Sequence, residues 1–167
     1  EVGDRRVLRC LLGVGLDADV TVLDGGLAAW RAAGGELPSV AVPARPATTM
    51  PLRAPLVQSA DFAELRAGLG QAGASLVVDA RSADRFRGEN ETLDPVGGRI
   101  PGAVNRFFRD NLGADACFKP AAQLRSEWLA VVGDRPAAEL VMQCGSGVTA
   151  CHNLLALEGA GLGLARQ

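Results

Sequence analysis

ELVMQCGSGVTA, residues 139–150, carries the strongest structural signal in this chain. An apolar run of strand character leads into Cys144, glycines and small hydroxyl residues follow, and residues 150–158 favour a helix. Because glycine has no β-carbon, the backbone at Gly145 and Gly147 can turn several N–H groups inward. The helix start behind this loop adds roughly half a positive charge. Both effects favour the thiolate of Cys144, the reactive form, so the segment predicts a nucleophilic cysteine in an anion-binding loop.

Strands alternate with helices along the rest of the chain, which predicts an α/β domain with a parallel sheet. Leu76-Val77-Val78 is a continuous apolar run, as expected for a strand buried on both faces of such a sheet. Residues 103–105 and 139–143 supply two further strands, and Trp128 lies on the apolar face of a predicted helix. Sites in parallel sheets lie at the carboxyl ends of strands, which is where Cys144 falls.

The loop CGSGVTA, residues 144–150, resembles the active-site loop of the 3-mercaptopyruvate sulfurtransferases, a branch of the rhodanese superfamily. Three other segments follow the family's order: LDGGLAAW at 23–30 resembles the segment that closes a first rhodanese domain. VVDAR at 77–81, with RFRG at 85–88, resembles the first strand and the substrate-arginine segment of the second domain. GRIPGAVN at 98–105 resembles a turn that is typical of the family. The resemblance implies a rhodanese-like three-layer α/β/α fold with a parallel sheet.

The resemblance also implies a division of the chain. Residues 1–40 correspond to the C-terminal remnant of a first, non-catalytic rhodanese domain, and 41–55 to a linker, consistent with five prolines between 36 and 55. Residues 56–167 correspond to a catalytic rhodanese domain that lacks its last strand. Because the family's catalytic cleft lies between two domains, we expect the 167-residue chain alone to be weakly active or inactive.

For the chemistry, the resemblance makes Cys144 the nucleophile, which takes sulfur from 3-mercaptopyruvate as a persulfide and releases pyruvate. A thiol such as that of thioredoxin, or cyanide, then accepts the sulfur. Ser146 is implied as part of a proton relay, although a loop hydroxyl that merely satisfies backbone groups is an equal alternative. Arg85 is the candidate for the substrate carboxylate, against the alternative of a surface arginine. The loop residues implied to bind substrate are Gly145, Gly147, Val148 and Thr149.

The charge of the side chains in the Cys144 loop helps to separate the alternative functions. Rhodaneses that prefer thiosulfate carry Arg and Lys where Gly145 and Ser146 stand, because a sulfate-like dianion needs those cations. The neutral loop favours mercaptopyruvate and leaves a thiosulfate sulfurtransferase as the alternative. Phosphatases of this fold place an arginine where Ala150 stands, which argues against a phosphatase. A non-catalytic rhodanese-like binding module is the alternative from another class, although such modules commonly lose the cysteine.

One departure from the family pattern and three side chains complete the candidate site. Family members often have a second arginine in a Glu-Pro-Arg run, where this chain has Leu93-Asp94-Pro95, so a second arginine at the substrate is not expected. Asp79 and Arg81, at a strand end, are interpreted as structural. His152, the single histidine, is predicted to face solvent on its helix.

Bulk properties exclude several classes of protein. The formal net charge is −2 and no lysine or arginine cluster is present, so no nucleic-acid partner is expected. No stretch approaches the roughly 20 apolar residues that span a bilayer, so no membrane partner is expected. The four cysteines form no Cys-x-x-Cys pair and have no histidine at ligand spacing, so a zinc site is not predicted. No sequence feature indicates another metal or an organic cofactor. Scattered thiols of this kind are typical of a cytoplasmic protein.

Overall fold

The computed structural model of the chain describes residues 15–16, 21–37, 39–40, 44, 46–47, 49, 52–55 and 57–167. Much of the predicted first-domain remnant, parts of the predicted linker at 41–55, and Cys10 lie outside the described residues. The division of the chain at residues 40 and 55 therefore stays a prediction.

Ten helices and strands are described, joined by loops and two 3₁₀ turns. The 3₁₀ turns are Phe108–Asn111 and Ala137–Glu139. The ten elements are β1 (Gly15–Leu16), α1 (Gly26–Ala32), β2 (Leu52–Arg53), α2 (Phe62–Gly68), β3 (Leu76–Asp79), α3 (Ala83–Arg87), β4 (Val104–Asn105), α4 (Ala121–Val132), β5 (Leu140–Gln143) and α5 (Val148–Gly159).

A parallel sheet in the order β4-β3-β5 organises the larger described part, residues 57–167. Val78, in the central strand, lies opposite Val104 on one side and Met142 on the other. Arg166 continues the sheet beyond β5 through a parallel bridge to Val141. The predicted α/β class with a parallel sheet is confirmed, and the apolar run of β3 is buried because it is the central strand. β1 and β2 form a separate antiparallel pair that the sequence analysis did not predict.

The core lies between the sheet and helices α4 and α5. Trp128 of α4 and Leu154 and Leu157 of α5 are fully buried against Val78 and Met142. Each such side chain contributes about 1.5–3 kcal/mol by leaving water. Because α5 begins directly behind the Cys144 loop, this packing fixes the loop relative to the sheet.

A buried polar network fixes the segment that follows β4. The guanidinium of Arg106 donates from Nε to Asn111 Oδ1 at 3.1 Å and from Nη2 to Glu127 Oε2 at 2.6 Å. Asn111 Nδ2 donates to Asn153 Oδ1 at 2.7 Å, and Asn153 Nδ2 donates back to the Arg106 carbonyl at 2.9 Å. Since Asn153 belongs to α5, the network ties the 3₁₀ turn after β4 to the helix behind Cys144.

Within the part of the chain that the structure describes, no helix has the length and apolarity needed to cross a bilayer. Over the same residues, no three His, Cys, Asp or Glu side chains gather where they could hold a metal ion.

Candidate active site

Cys144 is the first residue after β5 and opens the short loop that leads into α5. The Gly147 N–H donates to the Cys144 sulfur at 3.0 Å. Gly147 reaches this position with a φ of +84°, and a β-carbon there would lie 2.9 Å from Gln167 Nε2. The positive φ favours glycine at this turn, whereas the Gln167 side chain could move aside for a β-carbon. The predicted inward N–H geometry is present at the start of the helix.

The loop controls the ionisation of Cys144. Burial raises the pKa of the Cys144 thiol, but hydrogen bonds from the Thr149 hydroxyl and from the N–H groups of Ala150, Ser146 and Thr149 lower it. The net effect places this pKa below the ordinary value. By contrast, burial raises the pKa of Cys151, which lies within α5. Of these two partly buried thiols, Cys144 is the one whose surroundings favour the thiolate.

A pocket of about 580 Å³ opens in front of Cys144. Its walls come from the segments that follow all three parallel strands, the position where sites of such sheets form. Five of the seven predicted site residues line it; Gly147 and Val148 do not, and the Val148 side chain is 72% exposed. The five lining residues are Cys144, Gly145, Ser146, Thr149 and Arg85.

Arg85 lies on α3 and is held by carboxylates. Its Nη2 donates to Glu91 Oε1 at 2.8 Å and to Asp94 Oδ2 at 3.2 Å, and its Nε donates to Glu91 Oε2 at 3.0 Å. The Glu91 side chain is only 5% exposed. The N–H groups of Leu93 and Asp94, together with Arg85, lower the pKa of Glu91 to about 2. Arg85 is thus a fixed cation in the pocket wall, and its partner Glu91 was not identified from the sequence.

Asp79 and Arg81 brace the loops behind the pocket. Asp79 is fully buried and accepts hydrogen bonds from the Nε and Nη2 of Arg81 at 2.8–3.1 Å. Arg81 Nη2 also donates to the Gly98 carbonyl at 2.5 Å. This pair links the end of β3 to the GRIPGAVN segment, as its structural interpretation requires.

The pocket wall after β4 was missed in the sequence. Phe108 and Arg109 line the pocket, with the Arg109 guanidinium carbon 5.7 Å from the Phe108 ring centroid. Their position after a parallel strand was the available signal. The prediction that His152 faces solvent was wrong, since its ring stacks on Phe118 at 4.7 Å and contacts the edge of Phe108 at 5.4 Å. Burial lowers the pKa of His152.

Known proteins are similar to this chain in sequence and fold. The chain is 51% identical over 149 residues to a probable 3-mercaptopyruvate sulfurtransferase of Pseudomonas aeruginosa, covering 88% of this chain and 51% of that protein. The crystal structure of a 3-mercaptopyruvate sulfotransferase with the rhodanese fold, from Escherichia coli, superposes with a TM-score of 0.71 at 28% identity, covering 89% of this chain and 55% of that one. The chain belongs to the rhodanese superfamily.

Rhodanese relatives of a second kind match as well. A putative thiosulfate sulfurtransferase of Mycobacterium tuberculosis is 35% identical over 155 residues, which cover 93% of this chain and 54% of that protein. The chain spans about half the length of the curated relatives it matches. No protein-family model matches the chain. The predicted superfamily and the rhodanese-like fold are confirmed.

Cys144 is expected to react with iodoacetamide at lower pH than Cys151 does. The thiolate fraction falls as pH drops through the thiol pKa, so a lowered pKa keeps Cys144 reactive into more acidic solution. The raised pKa of Cys151 moves its loss of reactivity to higher pH. Mass spectrometry of the two alkylated peptides between about pH 5 and pH 11 follows both thiols through their midpoints, because the midpoint of Cys151 lies above the ordinary value for a thiol. A Cys144 midpoint at or above that of Cys151 would contradict the loop geometry described above.

Proposed function

We propose that the protein is a sulfurtransferase that moves sulfur from 3-mercaptopyruvate, through a persulfide on Cys144, to a thiol or cyanide acceptor. One observation carries the proposal: the Cys144 sulfur accepts the Gly147 N–H at 3.0 Å in a pocket that Arg85 also lines. A thiolate and a fixed cation in one pocket suit a donor with a transferable sulfur and a carboxylate. The name of the Pseudomonas relative supports the same donor.

In the first step the Cys144 thiolate attacks the sulfur of 3-mercaptopyruvate. A sulfur–sulfur bond forms as the carbon–sulfur bond breaks, and the electron pair of the broken bond leaves with the carbon as the enolate of pyruvate. The enolate takes up the proton that the donor thiol loses, so no external oxidant or reductant is needed. Ser146 is exposed and lines the pocket, a position suited to relaying that proton.

In the second step an acceptor removes the outer sulfur. The acceptor thiolate or cyanide attacks that atom, the sulfur–sulfur bond breaks, and its electron pair returns to Cys144 as thiolate. Gly147 does not line the pocket but contributes its N–H to the Cys144 sulfur, whereas Val148, which does not line the pocket either, begins α5. Thioredoxin is an acceptor of suitable chemistry because it presents a reactive thiol to an open pocket.

A thiosulfate sulfurtransferase is the second candidate, favoured by the Mycobacterium relative's name. The loop argues against it. Thiosulfate is a dianion, and the two positions that would meet it hold Gly145 and Ser146, which are uncharged. Arg85 supplies a cation, but carboxylates already occupy several of its donors. Mercaptopyruvate carries one negative charge and therefore suits a pocket with few free cationic donors better than thiosulfate does.

The test measures sulfur transfer from each of the two donors, using the whole protein as its cell produces it and not the 167-residue chain alone. We expect pyruvate release from mercaptopyruvate to exceed transfer from thiosulfate. The double variant Gly145→Arg/Ser146→Lys should raise the kcat/KM ratio of thiosulfate to mercaptopyruvate by about tenfold or more, since each charge-assisted hydrogen bond is worth roughly 1.5–3 kcal/mol. The structure accommodates both changes, because a β-carbon at Gly145 meets nothing within 4 Å and Ser146 is exposed.

Arg66→Lys, which keeps its charge and lies on α2 away from the pocket lining, is the control and should leave the ratio unchanged. A wild-type preference for thiosulfate would overturn the donor assignment but keep Cys144 as the nucleophile. Transfer from neither donor would favour a non-catalytic binding module instead.

A further inference from the structure

The hydrogen bonds of Arg85 are divided unequally between its two edges. Along the side edge, Nε and Nη2 donate to the two oxygens of Glu91 at 3.0 and 2.8 Å. At the end of the guanidinium, Nη2 also donates to Asp94 Oδ2 at 3.2 Å. Among the described residues, Nη1 of Arg85 has no hydrogen-bond partner. The end edge is therefore half occupied, and its occupant is Asp94.

The two carboxylates differ in how firmly they are held. Glu91 is almost fully buried, and Oε1 also accepts the N–H groups of Leu93 and Asp94 at 2.9 and 3.1 Å. Asp94 is 49% exposed on an irregular segment. An exposed ion pair of this kind contributes little to stability, so the Asp94 carboxylate can leave Arg85 with a small loss of free energy. The buried Glu91 carboxylate cannot.

A donor carboxylate binds a guanidinium best through two parallel hydrogen bonds. Because Glu91 holds the side edge, the end edge formed by Nη1 and Nη2 is where such a pair can form. Asp94 already uses Nη2 and itself lines the pocket, so its negative charge faces any anion that approaches Arg85.

We propose that Asp94 is a specificity-determining residue: its carboxylate competes with the anionic group of the donor for the end of Arg85 and moves aside when the donor binds. This inference deepens the proposed function and rests on it for the identity of the donor. Coulomb repulsion scales with charge, so Asp94 opposes a dianion twice as strongly as a monoanion. Asp94 thus adds to the neutral loop in favouring mercaptopyruvate over thiosulfate.

The test uses Asp94→Asn, which removes the charge and keeps a similar shape. Its first readout needs no sulfur donor: the rate of Cys144 alkylation by anionic iodoacetate divided by the rate with neutral iodoacetamide. We expect the variant to raise this ratio roughly three- to fivefold, the scale of one screened charge at short range. Its second readout is the KM for each donor, which should fall more for thiosulfate than for mercaptopyruvate, with kcat changed less.

Glu89→Gln is the matched control. It removes the same charge five positions earlier, where Glu89 is 57% exposed, pairs with Arg87 and does not line the pocket. The control should leave the alkylation ratio unchanged. An unchanged ratio in Asp94→Asn, or an equal rise in Glu89→Gln, would overturn the proposal. Because alkylation is independent of sulfur transfer, that failure is distinguishable from a failure of the proposed function.

Discussion

Cys144→Ser is expected to abolish sulfur transfer, with a loss of at least about 10³-fold in kcat. A serine hydroxyl is not ionised near neutral pH, and its oxygen cannot carry a sulfur atom as a persulfide. The N–H of Gly147 and the rest of the loop would stay in place, so the loss would report the nucleophile itself. Pyruvate release from mercaptopyruvate measures turnover. Mass spectrometry of the donor-treated protein detects the gain of one sulfur atom on the Cys144 peptide.

Cys151→Ser provides the control for that experiment. Cys151 is also a partly buried thiol on α5, and its sulfur donates to Gln167 Oε1 at 3.3 Å, a hydrogen bond that serine can keep. We expect this variant to retain transfer and to form the persulfide on Cys144. Activity in Cys144→Ser, or loss of activity in Cys151→Ser alone, would show that the persulfide forms on another thiol.

The sheet and the cysteine loop could be predicted from the sequence because both are local signals. The apolar run of β3 and the glycines after β5 act over a few residues, and each fixes its own backbone. The carboxyl ends of the strands then meet at one edge of the sheet because the strands are parallel. The proposal that Cys144 is the reactive thiol rests on the same local backbone geometry.

The wall after β4 could not be predicted in this way, because its position depends on contacts between distant parts of the chain. Phe108 and Arg109 face the pocket because the network of Arg106 and Asn153, 47 residues apart, holds their turn against α5. The same packing covers His152, which was predicted to face solvent.

The partners of Arg85 illustrate the same limit at the site. Its match to the family segment predicted a cation near Cys144, and the structure brings both residues to one pocket. Nothing in the spacing from Arg85 to Glu91 and Asp94 indicated that these carboxylates would bind it, since an irregular loop connects them. Side-chain pairing across such a loop is decided by the folded backbone.

Asp79→Ala is expected to lower the free energy of unfolding by about 3 kcal/mol, because it breaks a buried charge pair. Asp79 is fully buried, and its carboxylate accepts the N–H of Arg81 at 2.9 Å as well as the guanidinium. The variant leaves the Arg81 side chain, itself 9% exposed, with Glu91 at 3.4 Å as its remaining carboxylate. Urea unfolding measures the change through the midpoint and slope of the transition.

The same change should reach the active site, because Arg81 connects β3 to the Gly98 carbonyl and also contacts the Glu91 that holds Arg85. With Asp79 removed, Arg81 competes with Arg85 for Glu91, so the KM for an anionic donor should change even at temperatures where the variant is folded. Asp79→Asn, which keeps an acceptor, should show a smaller loss of stability, and exposed Glu89→Ala on the neighbouring loop should resemble the wild type. A loss of stability in Asp79→Ala below about 1 kcal/mol would mean that Glu91 alone compensates the buried guanidinium, and the brace would then contribute little to the pocket.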